Sequence, residues 1–454
     1  MEVKTKEKHL NDFGLSRLFS EFFNSEKAAG FILIGCTVLS LVIANSPWGE
    51  GYDQFWHTRV GGLSISHWIN DALMAVFFLL VGLEIEREIY VGELSQLRNA
   101  IFPIVAAAGG MLVPAAIHAF FNFGTATATG FGIPMATDIA FALGILSLAG
   151  KSVPAALKIF LTALAIIDDL GAIMVIAIFY TEDLSVLNLF ISLGIFVVLF
   201  MMGKTGVKNL LFYIIPGIAM WYFMYQSGVH ATISGVLLAF AIPFGKGDDH
   251  SPSFRLQHIL HYPVAFFIVP LFALANTGIK LQPGFYNTLV SVNSLGIMSG
   301  LVIGKPLGIL TFAWLAVKTK FSSLPSSVTW RHIAATGLLA GIGFTMSIFI
   351  ALLAFADNET VVNSKIAILS ASLVAAIAGL LMLKSINRKK GNQESSSEDS
   401  GRRSYSPLKA YQPKIIRPIA IGVKIPMIMI HITGLLISFV PAGSIWTIAL
   451  STRK

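Results

Sequence analysis

The sequence predicts an all-α polytopic membrane protein with twelve transmembrane helices, and three observations carry that prediction. First, 55% of the 454 residues are hydrophobic and 12% are charged, with a mean hydropathy of +0.74. An ordinary soluble domain is roughly 45–50% apolar and about 25% charged, so a soluble globular enzyme lacks the polar surface it would need here. Second, the apolar residues fall into runs close to the ~20 residues that a spanning helix requires. Third, the basic residues gather in alternate loops. The net charge of +8, from 32 basic and 24 acidic residues, then reports lysine and arginine held on the cytoplasmic side rather than nucleic-acid binding.

Twelve runs qualify in chain order: 29–46, 71–91, 100–121, 133–148, 154–179, 186–202, 209–224, 227–243, 258–278, 294–316, 333–354 and 362–383. The first 27 residues mix both charge signs and show no cleavable signal peptide, so the N-terminus is placed in the cytoplasm. The inside loops then hold nine basic residues, Arg98, Lys151, Lys204, Lys208, Lys246, Arg255, Lys318, Lys320 and Arg331, against two outside, Arg59 and Lys280. Lys4, Lys6, Lys8, Arg17 and Lys27 before the first span, and Lys384, Arg388, Lys389 and Lys390 after the last, agree with both ends being cytoplasmic. Most loops are short. The exception, Ser46–Asn70, holds Pro47-Trp48-Gly49 and an alternating Leu63-Ser64-Ile65-Ser66, which suits either a small external hairpin or an aromatic interface belt.

The chain therefore divides into a cytoplasmic segment at 1–28, a twelve-helix unit at 29–384 and a tail at 385–454. Gly391–Ser406 has the Gly, Ser, Glu and Arg content of a linker. Ile425–Leu450 is apolar again but carries Pro426, His431, Gly434 and Pro441, which favours an interfacial extension over a thirteenth span. The single cysteine, Cys36, leaves no intrachain disulfide for the fold to rest on.

Ionisable groups inside spans cost about 3 kcal/mol each on insertion scales, so their default reading is functional. Asp138 follows Thr137, Asp168 and Asp169 are adjacent, and Lys305 lies in Gly304-Lys305-Pro306. Glu84, Glu86, Arg87 and Glu88 cluster near the inner end of the second span, Asp71 opens that span, and His230 lies near the outer end of the eighth. A helix-end cap does not explain Asp168 and Asp169, which sit well inside the run from Pro154 to Phe179. Neighbours on a helix differ by about 100° in direction, so both can still line one cavity. Carboxylate oxygens suit a small hard cation or a proton, and Lys305 offers a counter-charge.

Two spans read as interrupted helices: the fourth, with Thr125–Gly132, Ile133-Pro134 and Thr137-Asp138, and the eleventh, with Gly337, Gly341-Ile342-Gly343 and Thr345. Such breaks expose half-helix ends in mid-membrane, where an acid suits the N-termini and a base the C-termini. Asp138 and Lys305 have the matching signs. Spans three to five and ten to twelve each place the break in the middle of a triplet, the pattern of inverted repeats.

These residues resemble the NhaA family of bacterial sodium/proton antiporters over about residues 15–384. The blocks are Ile69-Asn70-Asp71-Ala72-Leu73-Met74, Ala136–Gly144, Ala165–Ala172, Ser227–Thr232, Gly304–Gly308 and Gly341–Ser347. The resemblance implies a fold with two crossing broken helices and electrogenic exchange of Na+ or Li+ against protons across the inner membrane, regulating intracellular pH and sodium. It implies transient binding of cation and protons by Asp168 and Asp169 with Thr137 at the site, charge balance by Asp138 and Lys305, and a Lys305–Asp168 pair. It implies a homodimer through the 46–70 hairpin, and activation at alkaline pH through Glu84, Arg87, Glu88, His258 and His261. Gln257 stands where a family member has glutamate and Glu86 where it has lysine, which puts the pH threshold in doubt. The tail after Lys384 has no recognised counterpart.

An intramembrane aspartyl protease would need two carboxylates facing each other across helices, and Asp168 and Asp169 are sequence neighbours. A cation channel would need a ring of ligands along a continuous pore. No Gly-x-x-x-x-Gly-Lys-Ser/Thr loop is present, so the energy source would be an ion gradient. No cofactor and no nucleic-acid partner are expected.

Overall fold

The computed structural model describes residues 27–150, 153–181, 184–245, 247–248, 250–281, 283–325 and 327–404, with short strands between 431 and 450. The expected N-terminal segment up to residue 26, Lys151, Lys246 and most of the tail after residue 404 lie outside the described residues. Contacts divide the chain into two units with the boundary between Glu394 and Ser395.

The first unit is a stack of helices. Helix α1 covers Lys27–Ala44. After it come α2 (Gly49–His57) and two strands, β1 (Arg59–Val60) and β2 (Leu63–Ser64). The strands pair antiparallel, Arg59 opposite Ser64 and Val60 opposite Leu63. Gly61 and Gly62 hold φ of +62° and +94°, the left-handed backbone that a two-residue hairpin turn demands. The hairpin expected between Ser46 and Asn70 is therefore present, but the alternation stops at Ser64. There the Ser64 hydroxyl accepts from His67 N at 3.1 Å and starts the next helix, so Ile65 and Ser66 are helical.

That helix, α3, runs Ile65–Tyr90. Then come α4 (Leu97–Phe121), a tight 3-10 helix at Ala128–Met135, α5 (Ile139–Leu148) and α6 (Ala155–Phe179). Next are α7 (Val186–Lys204), α8 (Leu211–Tyr225), α9 (Ile233–Ala241), α10 (Pro252–Asn276) and α11 (Val292–Lys318). The last are α12 (Trp330–Ala340), α13 (Phe344–Ala354) and α14 (Asn358–Ser404).

Among the described residues, eight helices are long and apolar enough to cross a bilayer, and ten crossings result if each of two bent pairs is one span. The expected seventh and eighth spans fall on α8 and α9, of 15 and 9 residues. At ~1.5 Å per residue neither helix covers the ~30 Å of a bilayer core. The residues between them are spent in turns, with Gly228 at φ +81°.

The composition that reads as linker after Gly391 is helical: α14 continues to Ser404, since Lys, Arg, Gln and Glu are good helix formers and the first proline is Pro407. At the described positions of the apolar stretch 425–450 there is no thirteenth helix. His431–Ile432, Leu435–Ser438 and Ala449–Leu450 form short antiparallel strands instead.

Helices α4 and α11 pack closest where glycine meets glycine. A Cβ at Gly109 would lie 2.3 Å from the Gly308 carbonyl oxygen, and one at Gly308 would lie 2.0 Å from that of Gly109. Backbone-to-backbone approach through small residues is the usual way membrane helices gain contact without a hydrophobic drive. Here it seats α11, and with it Lys305, against the centre of the unit. A π-helical turn at Gly300–Gly304 directly precedes Lys305.

Candidate functional site

The site forms where two chain breaks meet. The pair Ala128–Met135 and α5 bends by 42° and the pair α12 and α13 by 47°, with Ala136-Thr137-Asp138 and Gly341-Ile342-Gly343 between the halves. The two breaks bond to each other. Asp138 N donates to Ile342 O at 2.7 Å, and Ser347 Oγ donates to Ile133 O at 2.7 Å.

Asp138 closes two helix starts with one carboxylate. Its Oδ1 accepts from Phe141 N at 2.9 Å, capping α5, and its Oδ2 accepts from Thr345 N at 3.1 Å and from the Thr345 hydroxyl at the start of α13. Both N-termini are positive ends of helix dipoles, so a buried anion is stabilised between them. Lys305 takes the opposite end, donating to the Met135 carbonyl where the 3-10 helix stops.

Asp168 and Asp169 come from the middle of α6 and are 0% and 3% exposed. Lys305 Nζ lies 2.9 Å from Asp168 Oδ2, and neither side chain is exposed. Thr137 Oγ1 lies 2.8 Å from the same Asp168 oxygen and 3.0 Å from the Ala340 carbonyl. One hydroxyl proton cannot serve two acceptors, so this corner holds more oxygen lone pairs than protein hydrogens. Asp168 Oδ1 and Asp169 Oδ1 are buried with no hydrogen-bond partner among the described residues. Buried polar atoms are nearly always paired, so unpaired carboxylate oxygens on two successive residues are chemically suited to a proton or a hard cation.

The second expected cluster assembles where α3 meets α10. Arg87 Nη2 pairs with Glu88 Oε1 at 3.0 Å. His258 and Arg87 act electrostatically on His261, and Arg87 and Glu88 on Glu84. Among the charges that act on Asp169, Asp168, Lys305 and Asp138 weigh more than Glu84. Glu86 is buried and accepts from Ser253 Oγ at 2.7 Å.

Of the residues expected at the site, Thr137 and Lys305 both contact Asp168, Asp169 follows it on α6 and Asp138 follows Thr137 at the first break. The sequence reading did not single out Thr345 and Ser347 as partners, although both follow the glycine break. The carbonyls of Met135 and Ala340 carry no residue-type signal at all. It also passed over Lys365, a half-buried cation in the apolar run of α14 with no ion pair or hydrogen bond among the described residues.

Lys305→Ala is expected to lower the midpoint of thermal unfolding in detergent, and Lys305→Arg to lower it less. Removing one member of a buried pair leaves the other charged and unpaired, at about 3–5 kcal/mol in soluble proteins. An unchanged midpoint in the alanine variant would show that the pair does not hold the site together.

Residues 20–383 match the sequence family described as Na+/H+ antiporter 1. The chain is 58% identical over 372 residues to Na(+)/H(+) antiporter NhaA 1 of Flavobacterium johnsoniae, covering 82% of this chain and 98% of the relative. It is 58% identical over 373 residues to Na(+)/H(+) antiporter NhaA of Dechloromonas aromatica, covering 81% and 96%. It is 50% identical over 374 residues to Na(+)/H(+) antiporter NhaA of Vibrio cholerae, covering 82% and 98%.

Proposed function

Because the chain belongs to the Na+/H+ antiporter 1 family, a family of secondary transporters and not of enzymes, we propose that Asp168 and Asp169 alternately take Na+ or protons, with Thr137 as a third oxygen donor. The observation that carries this reading is the pair of unpartnered buried oxygens, Asp168 Oδ1 and Asp169 Oδ1, next to the Lys305–Asp168 pair. Lys305 keeps one carboxylate compensated, which leaves Asp169 as the primary cation ligand. Asp138 holds the two broken helices at one point, and Lys305 balances the end of the first half. Li+ is a second substrate by the same oxygen chemistry, since it is also a small hard cation.

The proposal includes twelve crossings, with α8 and α9 and their flanking turns as the seventh and eighth, and with the two broken helices crossing at the Asp138–Ile342 contact. It places the unit in the bacterial inner membrane with the N-terminus in the cytoplasm, on the asymmetry of lysine and arginine between loops. A second copy pairs through the β1–β2 hairpin. The cluster of Glu84, Arg87, Glu88, His258 and His261 sets activity at alkaline pH, and Glu84 supports this by acting on both it and Asp169.

Sodium-driven proton movement in everted membrane vesicles, scanned over pH, tests the function. The antiporter reading predicts Na+ and Li+ responses that saturate and that vanish in the absence of a counter-moving proton. Flow of Na+ without proton movement would favour a channel.

Deleting residues 387–454 is expected to leave that exchange intact, because the spans, both breaks and every charge of the site lie before them. Loss of exchange in a truncated protein that still reaches the membrane would make the tail part of the transport unit.

A further inference from the structure

One buried imidazole lies well away from the carboxylate site. His118, near the end of α4, is 0% exposed, and its Nε2 lies 3.1 Å from Asn293 Oδ1 on α11. The neighbours fix which atom donates. Asn293 Nδ2 donates to Ser364 Oγ on α14 at 2.9 Å, and the Ser364 hydroxyl gives its own hydrogen to the Thr360 carbonyl at 2.7 Å. The amide nitrogen of Asn293 therefore faces Ser364 and its oxygen faces the ring at 3.1 Å, so His118 Nε2 carries the hydrogen; Asn122 Nδ2, at 3.4 Å from the same ring nitrogen, directs its hydrogens to the His118 and Val292 carbonyls. Nδ1 has no partner among the described residues.

The other side of the network reaches the first broken helix. Asn122 Nδ2 donates to the His118 carbonyl at 3.0 Å, and Thr127 Oγ1, at the start of the Ala128–Met135 helix, donates to Asn122 Oδ1 at 2.6 Å. The ring edges fit where two side chains are missing. A Cβ on Gly130 would lie 3.1 Å from His118 Cε1, and one on Gly296 would lie 3.0 Å from Cδ2. The imidazole itself meets two elements of the site, α11 through Asn293 and the Ala128–Met135 helix at Gly130, and it reaches a third, α14, only through Asn293 and Ser364. Helix α11 carries Lys305, the Ala128–Met135 helix presents the carbonyl that Lys305 binds, and α14 supplies Ser372, whose Oγ accepts from Phe344 N at 3.1 Å at the start of α13.

We propose that His118 is a positioning residue for Na+/H+ exchange. Its Nε2–H bond holds Asn293 on α11 while its ring edge packs against Gly130 of the first broken helix, so the side chain sets these two elements relative to each other; the Asn122–Thr127 link runs through the His118 main-chain carbonyl and persists whatever the side chain. Asn293 lies about 18 Å along α11 from Lys305, so the same bond sets how Lys305 meets the Met135 carbonyl and Asp168. The role needs the donor hydrogen and not a change of charge. It rests on Lys305 and Asp168 belonging to the transport site.

The test compares His118→Leu, His118→Asn and His118→Gln in the full-length protein, with Na+ titrations in everted vesicles at equal protein per vesicle. Gln places an amide N–H near the position of Nε2, whereas Asn is too short to reach Asn293. Leu and Asn are expected to raise the half-saturating Na+ concentration about fivefold or more, the scale of one lost hydrogen bond. Gln is expected to keep both that value and the pH profile of the parent. A parental Na+ dependence in Leu and Asn overturns the proposal. So does a Gln protein that behaves like Leu, or one whose pH profile moves, since titration and not the donor would then matter. Should Leu fail to reach the membrane, the Asn and Gln proteins decide. Asp169→Asn, run alongside, reports on the transport site by itself: exchange surviving there defeats the site assignment whatever the His118 variants do.

Discussion

Asp169→Asn is expected to abolish exchange, by at least about a hundredfold in rate at a fixed Na+ concentration, the scale of losing a charged partner worth about 3 kcal/mol. The substitution keeps size and removes the anion. Its effect on stability should be small, because Asp169 Oδ1 has no hydrogen-bond partner to lose among the described residues. Asp168→Asn should abolish exchange as well, but with a lower unfolding midpoint, because Asp168 Oδ2 also holds Lys305 Nζ at 2.9 Å and Thr137 Oγ1 at 2.8 Å. The two neighbours are thus separable: equal loss of function, unequal loss of stability. Proton movement in vesicles together with thermal unfolding in detergent reads both. Sustained exchange by Asp169→Asn would remove it from the site, and equal midpoints for the two variants would show that the Lys305 pair contributes nothing.

The half-saturating Na+ concentration should rise as pH falls, by about tenfold per unit for each proton displaced by one Na+. Proton and cation neutralise the same carboxylate oxygens, so each must leave before the other binds. By reciprocity of linkage, Na+ must also lower the proton occupancy of the pair. If both carboxylates take part as proposed, more than one proton is expected to be displaced per Na+, and the cycle is expected to move net charge. More positive charge enters as protons than leaves as Na+, so an interior-negative potential drives Na+ outward. Proteoliposome currents on a supported membrane test the second statement, and Na+ titrations between about pH 6 and 8.5 test the first. A half-saturating concentration that does not move with pH would defeat the competition. Silence at the electrode during active exchange would mean one-for-one exchange and would defeat the two-proton count.

The carboxylate site was legible in the sequence because charge in an apolar run has few explanations. Asp138 and Lys305 are the single charges of the runs 133–148 and 294–316, Asp168 and Asp169 sit together in the middle of 154–179, whose one other charge is Lys158, and the glycines around Ile342 announce a break. What remained hidden was of two kinds. Backbone carbonyls at Met135 and Ala340 complete the site, yet any residue could supply them. His118, Asn122 and Asn293 read as scattered polar residues, because nothing in one sequence says that positions 175 apart share a hydrogen bond. Span lengths were overestimated at α8 and α9, where apolar composition continues through turns that hydropathy does not register. The polar, glycine-containing composition after Gly391 reads as linker, the boundary between the two units falls within it, and its backbone is helical to Ser404, since the first proline there is Pro407.

The shared cap at Asp138 also has a bearing on how the chain is made. Asp138 and Thr345 are separated by 207 positions, and Thr137 and the Ala340 carbonyl by 203. At roughly 5–20 residues per second of synthesis, the first break waits about 10–40 s for its partner to emerge. During that interval the start of α5 is capped, but the second half of the carboxylate's work is undone and the Ile342 carbonyl does not yet exist. The first half of the unit is therefore inserted with an open polar corner in the apolar layer. Assembly of the site is a late event that closes only when residues 341–345 arrive, and a ribosome stalled before residue 305 would leave in the membrane a product whose Asp168 on α6 has no Lys305 beside it.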